Sequence, residues 1–121
     1  MLFLPHVFFL QKTRHTEAES WFLKAVRLAP GDSGVHLHYG LFLMEAGAGR
    51  RDLEAAREFE AASGLEPTDY NAAFNAGVAY RQAGNREKAE AFYRKAVQIS
   101  PKVCVDNLSL KILKKTFNRK L

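Results

Sequence analysis

The 121-residue chain has a single cysteine, Cys104, so no disulfide can close within it and no CxxC metal spacing exists. Long apolar runs are missing as well. The stretch MLFLPHVFFL at residues 1–10 is interrupted by Pro5 and is far short of the roughly 20 residues that span a bilayer. Its basic neighbours Lys12 and Arg14 follow it instead of preceding it, the reverse of a signal peptide. There is no glycine-rich phosphate loop, no Gly-x-Ser-x-Gly elbow and no His-Glu-x-x-His string. His36 and His38 are two apart, which puts them on different faces of a helix and rules out a shared metal. Acidic pairs such as Glu58 with Glu60, or Glu87 with Glu90, read as solvated charges on exposed faces. No catalytic residue, metal ligand or cofactor is expected from these residues.

A charge excess of either sign is also missing over residues 1–101, which carry twelve basic and twelve acidic side chains. The net charge of +5 comes wholly from residues 102–121, with six Lys or Arg against Asp106. A neutral body of mixed sign argues against a nucleic-acid partner, and the basic end reads as a solvated tail. Contact with a membrane is expected only through parts of a longer protein or weakly through that tail.

What the chain does have is repetition. Alanine recurs at Ala18, Ala55 and Ala89, an aromatic at Phe22, Phe59 and Tyr93, alanine again at Ala25, Ala62 and Ala96, and proline at Pro30, Pro67 and Pro101. Every row steps by 37 residues and then by 34, while Gly40 and Gly77, like Gly47 and Gly84, lie 37 apart. The first alanine, the aromatic and the second alanine fall at i, i+4 and i+7, one face of a helix. A glycine inside a helical pattern costs about 1 kcal/mol against alanine, so Gly77 predicts a close approach of the paired helix, near Ala89. Gly84 predicts a left-handed helix end and Asn85 the next cap. Proline closes each unit because it cannot continue a helix.

A unit of about 34 residues, two helices and a closing proline resembles the tetratricopeptide repeat (TPR) family over residues 16–101. Gly77, Tyr80, Gly84, Ala89, Tyr93, Ala96 and Pro101 stand where that family places its signature residues. The resemblance implies an all-α fold, a right-handed helix-turn-helix repeat solenoid. It comprises an irregular start over 1–15, a half repeat over 16–30 opened by a Thr16–Glu19 capping box, and full repeats over 33–67 and 70–101. Paired helices are predicted at 33–47 with 52–64 and at 70–83 with 86–99. The turn after Gly47 has three extra residues around Ala48, Gly49 and Arg50, a cheap place to lengthen a loop. After Pro101 the pattern stops, and Val105, Leu108, Ile112 and Leu113 predict a basic C-terminal capping helix over 102–121.

More narrowly, HYGLFLMEAG, EAAREFEAASGLEPTDY and FNAGVAYRQAGNREKAEAFYRKAV resemble the C-terminal repeats of the transmembrane and TPR repeat-containing O-mannosyltransferases. That resemblance implies the client-facing lumenal repeats of an endoplasmic-reticulum enzyme without its catalytic half, and would make Asn107-Leu108-Ser109 a glycan acceptor. The half unit after FFLQ fits a fragment or isoform of a longer repeat protein.

The family resemblance implies a protein-interaction module whose concave groove is lined by the first helix of each unit. The corresponding positions are Leu37, His38, Leu41 and Glu45, beside Gly34 and Met44, and then Asn71, Phe74, Asn75, Val78, Arg81 and Gln82. Leu37, Leu41, Phe74 and Val78 would give burial, Asn75 a donor and an acceptor for a peptide backbone, and Arg81 a partner for a carboxylate. Phe74 and Leu37 can equally belong to the core. A clamp for chaperone C-terminal carboxylates is not expected, because Leu37 and Leu41 stand where it needs Lys and Asn. The partner expected is a protein or peptide.

Overall fold

The computed structural model describes residues 5–101 as five helices: α1 (Pro5–Leu28), α2 (Ser33–Gly47), α3 (Asp52–Leu65), α4 (Tyr70–Gln82) and α5 (Arg86–Ile99). No strand occurs among the described residues, and each helix packs on the next in chain order. This is an all-α helical repeat solenoid, with α2/α3 and α4/α5 as its two complete pairs. The predicted tail helix, Cys104 and the Asn107 sequon lie outside the described residues.

Local signals account for the boundaries. Asp32, Asp69 and Asn85 each accept backbone N–H bonds from the first turn of the following helix, from Gly34, from Asn71 and Ala72, and from Lys88. A cap of this kind is worth about 1 kcal/mol. Gly84 has φ +91° and turns the chain from α4 into α5, as predicted. In the longer loop that job falls to Ala48 (φ 48°) and Gly49 (φ 86°), inside the three-residue insertion. Gly47 itself stays helical, and a Cβ there would lie 2.8 Å from the Arg51 side chain.

Two expectations need correction. The irregular start over 1–15 is helical from Pro5 onward, and α1 runs unbroken to Leu28. Pro5 stands in the first turn, where its missing N–H and fixed φ fit a helix start, and residues 6–28 contain neither Pro nor Gly. Thr16 is therefore mid-helix and not a cap. The second correction concerns Gly77: what it meets is not Ala89 but the ring of Tyr93, 2.8 Å from where its Cβ would sit. Gly40 meets the Phe59 ring in the same way, at 2.7 Å. Each full unit thus closes by pressing an aromatic from its second helix onto a bare backbone in its first.

The core is built mostly of alanine. Ala55, Ala56 and Ala62 of α3, Ala72, Ala73, Ala76 and Ala79 of α4, and Ala89 and Ala96 of α5 are buried. Leu43, Phe59, Tyr80 and Tyr93 are the largest apolar side chains enclosed among them. Small residues bring the helix backbones close, and the few large rings fill the space that remains. Burying one such ring contributes on the order of 1.5–3 kcal/mol.

Candidate functional site

The candidate binding residues share one spacing on two helices. Leu37, His38, Leu41 and Glu45 on α2, and Asn71, Phe74, Asn75, Val78 and Gln82 on α4, recur at i+3, i+4 and i+7, so each set shares a face. The buried residues of α2 are His36, Tyr39, Gly40, Leu43 and Gly47; those of α4 are Ala72, Ala73, Ala76, Gly77, Ala79 and Tyr80. The candidate faces are turned away from both sets.

Within those faces the residues divide. His38, Leu41, Glu45, Asn71, Arg81 and Gln82 are exposed, and Leu41 keeps 42% of its surface open. Leu37, Met44, Phe74 and Val78 are half-buried and pack against the core. Phe74 is stacked on Tyr70 with ring centroids 5.6 Å apart and tilted on Tyr93 at 5.7 Å, so it supports the face as much as it lines it. His38 donates from Nδ1 to the Gly34 carbonyl at 2.7 Å. Arg81 lies beside the Tyr93 hydroxyl: burial raises the Tyr93 pKa, and the guanidinium opposes that rise.

Polar side chains lock the helices that carry these faces. His36 is buried, with Nδ1 2.7 Å from Glu58 Oε2 on α3 and Nε2 2.8 Å from the Pro30 carbonyl. Burial works against its charge, yet the Glu58 and Pro30 bonds outweigh it and hold its pKa above the ordinary value. Glu19 on α1 accepts from the Tyr39 hydroxyl at 3.1 Å and pairs with Arg51 at 2.6 Å; Arg51 also binds Glu54 at 2.7 Å. The Arg51 hydrogen bond holds the Glu19 pKa down, while burial, aided by Glu19, pushes Tyr39 up to about 12. Tyr80 donates to Glu60 on α3 and is also pushed up to about 12, chiefly by burial. Lys95 of α5 binds the Ser63 carbonyl and hydroxyl, at 3.2 and 2.5 Å, near the C-terminal end of α3, where a cation complements the helix dipole.

Sequence reasoning misses Glu19, His36 and Trp21, and it reads Glu58 and Glu60 as solvated charges although they bind His36 and Tyr80. Glu19 looked like part of a cap, and His36 was weighed only as a metal ligand. Trp21 was not singled out, yet it is 70% exposed, with the Lys24 ammonium 5.6 Å from its ring. The repeat register carried a signal for Trp21, which occupies the position of Glu58 and Phe92 in the later units. Among the described residues no group of three or more His, Cys, Asp or Glu could hold a metal, and no helix is long and apolar enough to cross a membrane.

Helices paired around glycine–aromatic contacts, with mixed polar and apolar first-helix faces, define a helical-repeat interaction scaffold. The chain belongs to the tetratricopeptide repeat family, whose model matches residues 37–103. Among solved structures it is similar to YrrB, a TPR protein with an unusual peptide-binding site, at 29% identity and a TM-score of 0.65; the match covers 88% of this chain and 51% of YrrB. MamA from AMB-1 matches at 24% identity and a TM-score of 0.63, covering 78% of this chain and 54% of MamA. The Arabidopsis OM64 TPR domain matches at 15% identity and a TM-score of 0.66, covering 93% of this chain and 87% of that domain. These last two likenesses are of fold. The chain spans about half the length of YrrB and MamA. No curated protein matches it, and the narrower likeness to O-mannosyltransferase repeats gains no support.

Proposed function

We propose that the chain is a protein-interaction module that binds a peptide or helix across the outward faces of α2 and α4. The observation that carries this reading is the pairing of exposed Leu41 with half-buried Val78 at the same position of successive repeats. Around them, His38 and Glu45 on α2, and Asn71, Asn75, Arg81 and Gln82 on α4, offer hydrogen-bonding groups. An apolar stripe with a polar border suits an extended or helical segment, whose side chains take the stripe while its backbone amides meet Asn75. The peptide-binding site of YrrB supports the same class of partner. TPR proteins generally act as scaffolds, and no catalytic role is proposed.

The test is a random-peptide selection against the chain, followed by calorimetry of the best binder on wild type, Leu41→Glu and the double variant Asn75→Ala/Arg81→Ala. Both variants should lose at least tenfold in affinity, about 1.4 kcal/mol, with circular dichroism showing an intact helical fold. Undiminished binding by both would refute this face as the site.

A further inference from the structure

The His36 contacts go beyond holding two helices together. Its two ring nitrogens face two acceptors, the Glu58 carboxylate at 2.7 Å and the Pro30 carbonyl at 2.8 Å. A neutral imidazole has one N–H and one lone pair, so it can satisfy only one of them; the imidazolium satisfies both. The ring is buried, while Pro30 beside it is exposed, so a released Pro30 carbonyl can turn to water and the ring cannot. The charged groups acting on it are Glu58 from α3 and Asp32 from the N-cap of α2, both negative, and from the α1–α2 turn it meets the Pro30 carbonyl.

We propose that His36 is a proton-operated latch that ties the α1–α2 turn to α3 when protonated and releases the turn when neutral. Once the proton leaves, the N–H that remains stays with the carboxylate, because a bond to a charged acceptor is the stronger one. The Nε2 lone pair then faces the Pro30 oxygen, and the two repel. The turn is held otherwise by the Ala29 amide on the Ala25 carbonyl at 2.9 Å, by the longer Asp32 amide bond to the Ala29 carbonyl at 3.2 Å, and by the Asp32 carboxylate accepting from the Gly34 amide at 2.9 Å. Release is therefore confined to residues 29–33, while Glu19 keeps α1 on Tyr39 and Arg51. The raised folded-state pKa of His36 sets the direction: the latch is closed below the ordinary value of 6.5 and opens as the pH rises through the raised one. Histidine is the side chain suited to switching in that range. Because Pro30 precedes α2, the latch governs how α1 leaves the helix that carries Leu37, His38 and Leu41.

Amide exchange and imidazole titration, both followed by nuclear magnetic resonance on the full chain between pH 5.5 and 8.5, test this directly. In wild type the protection factors of Ala29 and Asp32 should fall as His36 deprotonates, while the capped Lys88 amide at the start of α5 holds constant. Each unit by which the His36 midpoint exceeds its value in the urea-unfolded chain corresponds to about a tenfold loss of protection. In Glu58→Gln the midpoint should drop, and the loss of protection should move to lower pH with it. A His36 midpoint equal to that of the unfolded chain overturns the proposal. So does protection at Ala29 and Asp32 that ignores the titration, and so does a loss shared equally by Lys88, which would report global destabilisation and not a latch.

Discussion

The α1–α2 and α3–α4 junctions join the same kinds of element, a second helix to the next first helix, by opposite means. α3 and α4, which pack on each other, both bury small residues, Ala56, Ala62 and Ser63 on one and Ala72, Ala76 and Ala79 on the other. At the α1–α2 junction Phe22 stacks on Tyr39 at 5.6 Å and leans on Phe42 at 5.2 Å, and Glu19 ties Tyr39 and Arg51 beside it. Phe22 holds the register of Phe59 and Tyr93, yet those two press on Gly40 and Gly77 within their own units. Trp21 shows the same divergence. Its counterparts Glu58 and Phe92 engage His36 and Tyr80 of their own first helices, whereas Trp21 is 70% exposed. A repeat position thus prescribes a residue type, and the helix packed against it decides what that residue does.

Substitutions at the shared register should separate the two junctions most widely. Tyr93→Ala and Phe59→Ala empty fully buried sites and should each cost about 3–5 kcal/mol in urea unfolding. Phe22→Ala, half-buried, should cost less than half of that. Equal losses at all three positions would break the comparison. Next in size is Gly77→Leu, which drives a side chain into the Tyr93 ring and should lower stability by 1–3 kcal/mol or somewhat more, roughly the range for overpacking. If it melts at the wild-type temperature, α4 and α5 do not meet there.

Two smaller effects have opposite pH signs. The Glu19 pKa is lowered from 4.5, so the stability it gives the α1–α2 junction is present above that value and lost as the pH falls through the lowered one. Removing it with Glu19→Gln should cost about 1 kcal/mol near pH 7, and the deficit should vanish in acid. The His36 contribution runs the other way: fully present below 6.5 and lost as the pH rises through the raised pKa. Glu58→Gln should therefore cost about 1 kcal/mol at pH 6 and less at pH 8.5, measured by urea titration at each pH.

Most of the repeat body was legible because its signals are local. The repeated glycines, the Asn85 cap and the closing prolines place α2 through α5 within a residue of their observed ends. The start is not legible because Pro5 reads as an interruption of the apolar stretch, whereas it occupies the first turn of α1. Gly77 was matched to Ala89 by size, although the residue that needs a bare backbone beneath it is the large one, Tyr93. The polar ties between helices are not legible at all: His36 with Glu58 and Glu19 with Arg51 are 22 and 32 residues apart, and no periodicity links them. The candidate faces of α2 and α4 followed from register alone, which cannot show that Phe74 is wedged between Tyr70 and Tyr93.

Mapping amide chemical shifts while the selected peptide is titrated into the chain tests the interaction reading most directly. Binding across the first-helix faces predicts shifts concentrated at Leu37, His38, Leu41, Glu45, Asn71, Asn75, Val78 and Gln82, with α1 quiet. Shifts gathered instead around Trp21, Leu23 and Leu28, the exposed apolar side chains of α1, would contradict it and move the binding surface to the other end of the stack.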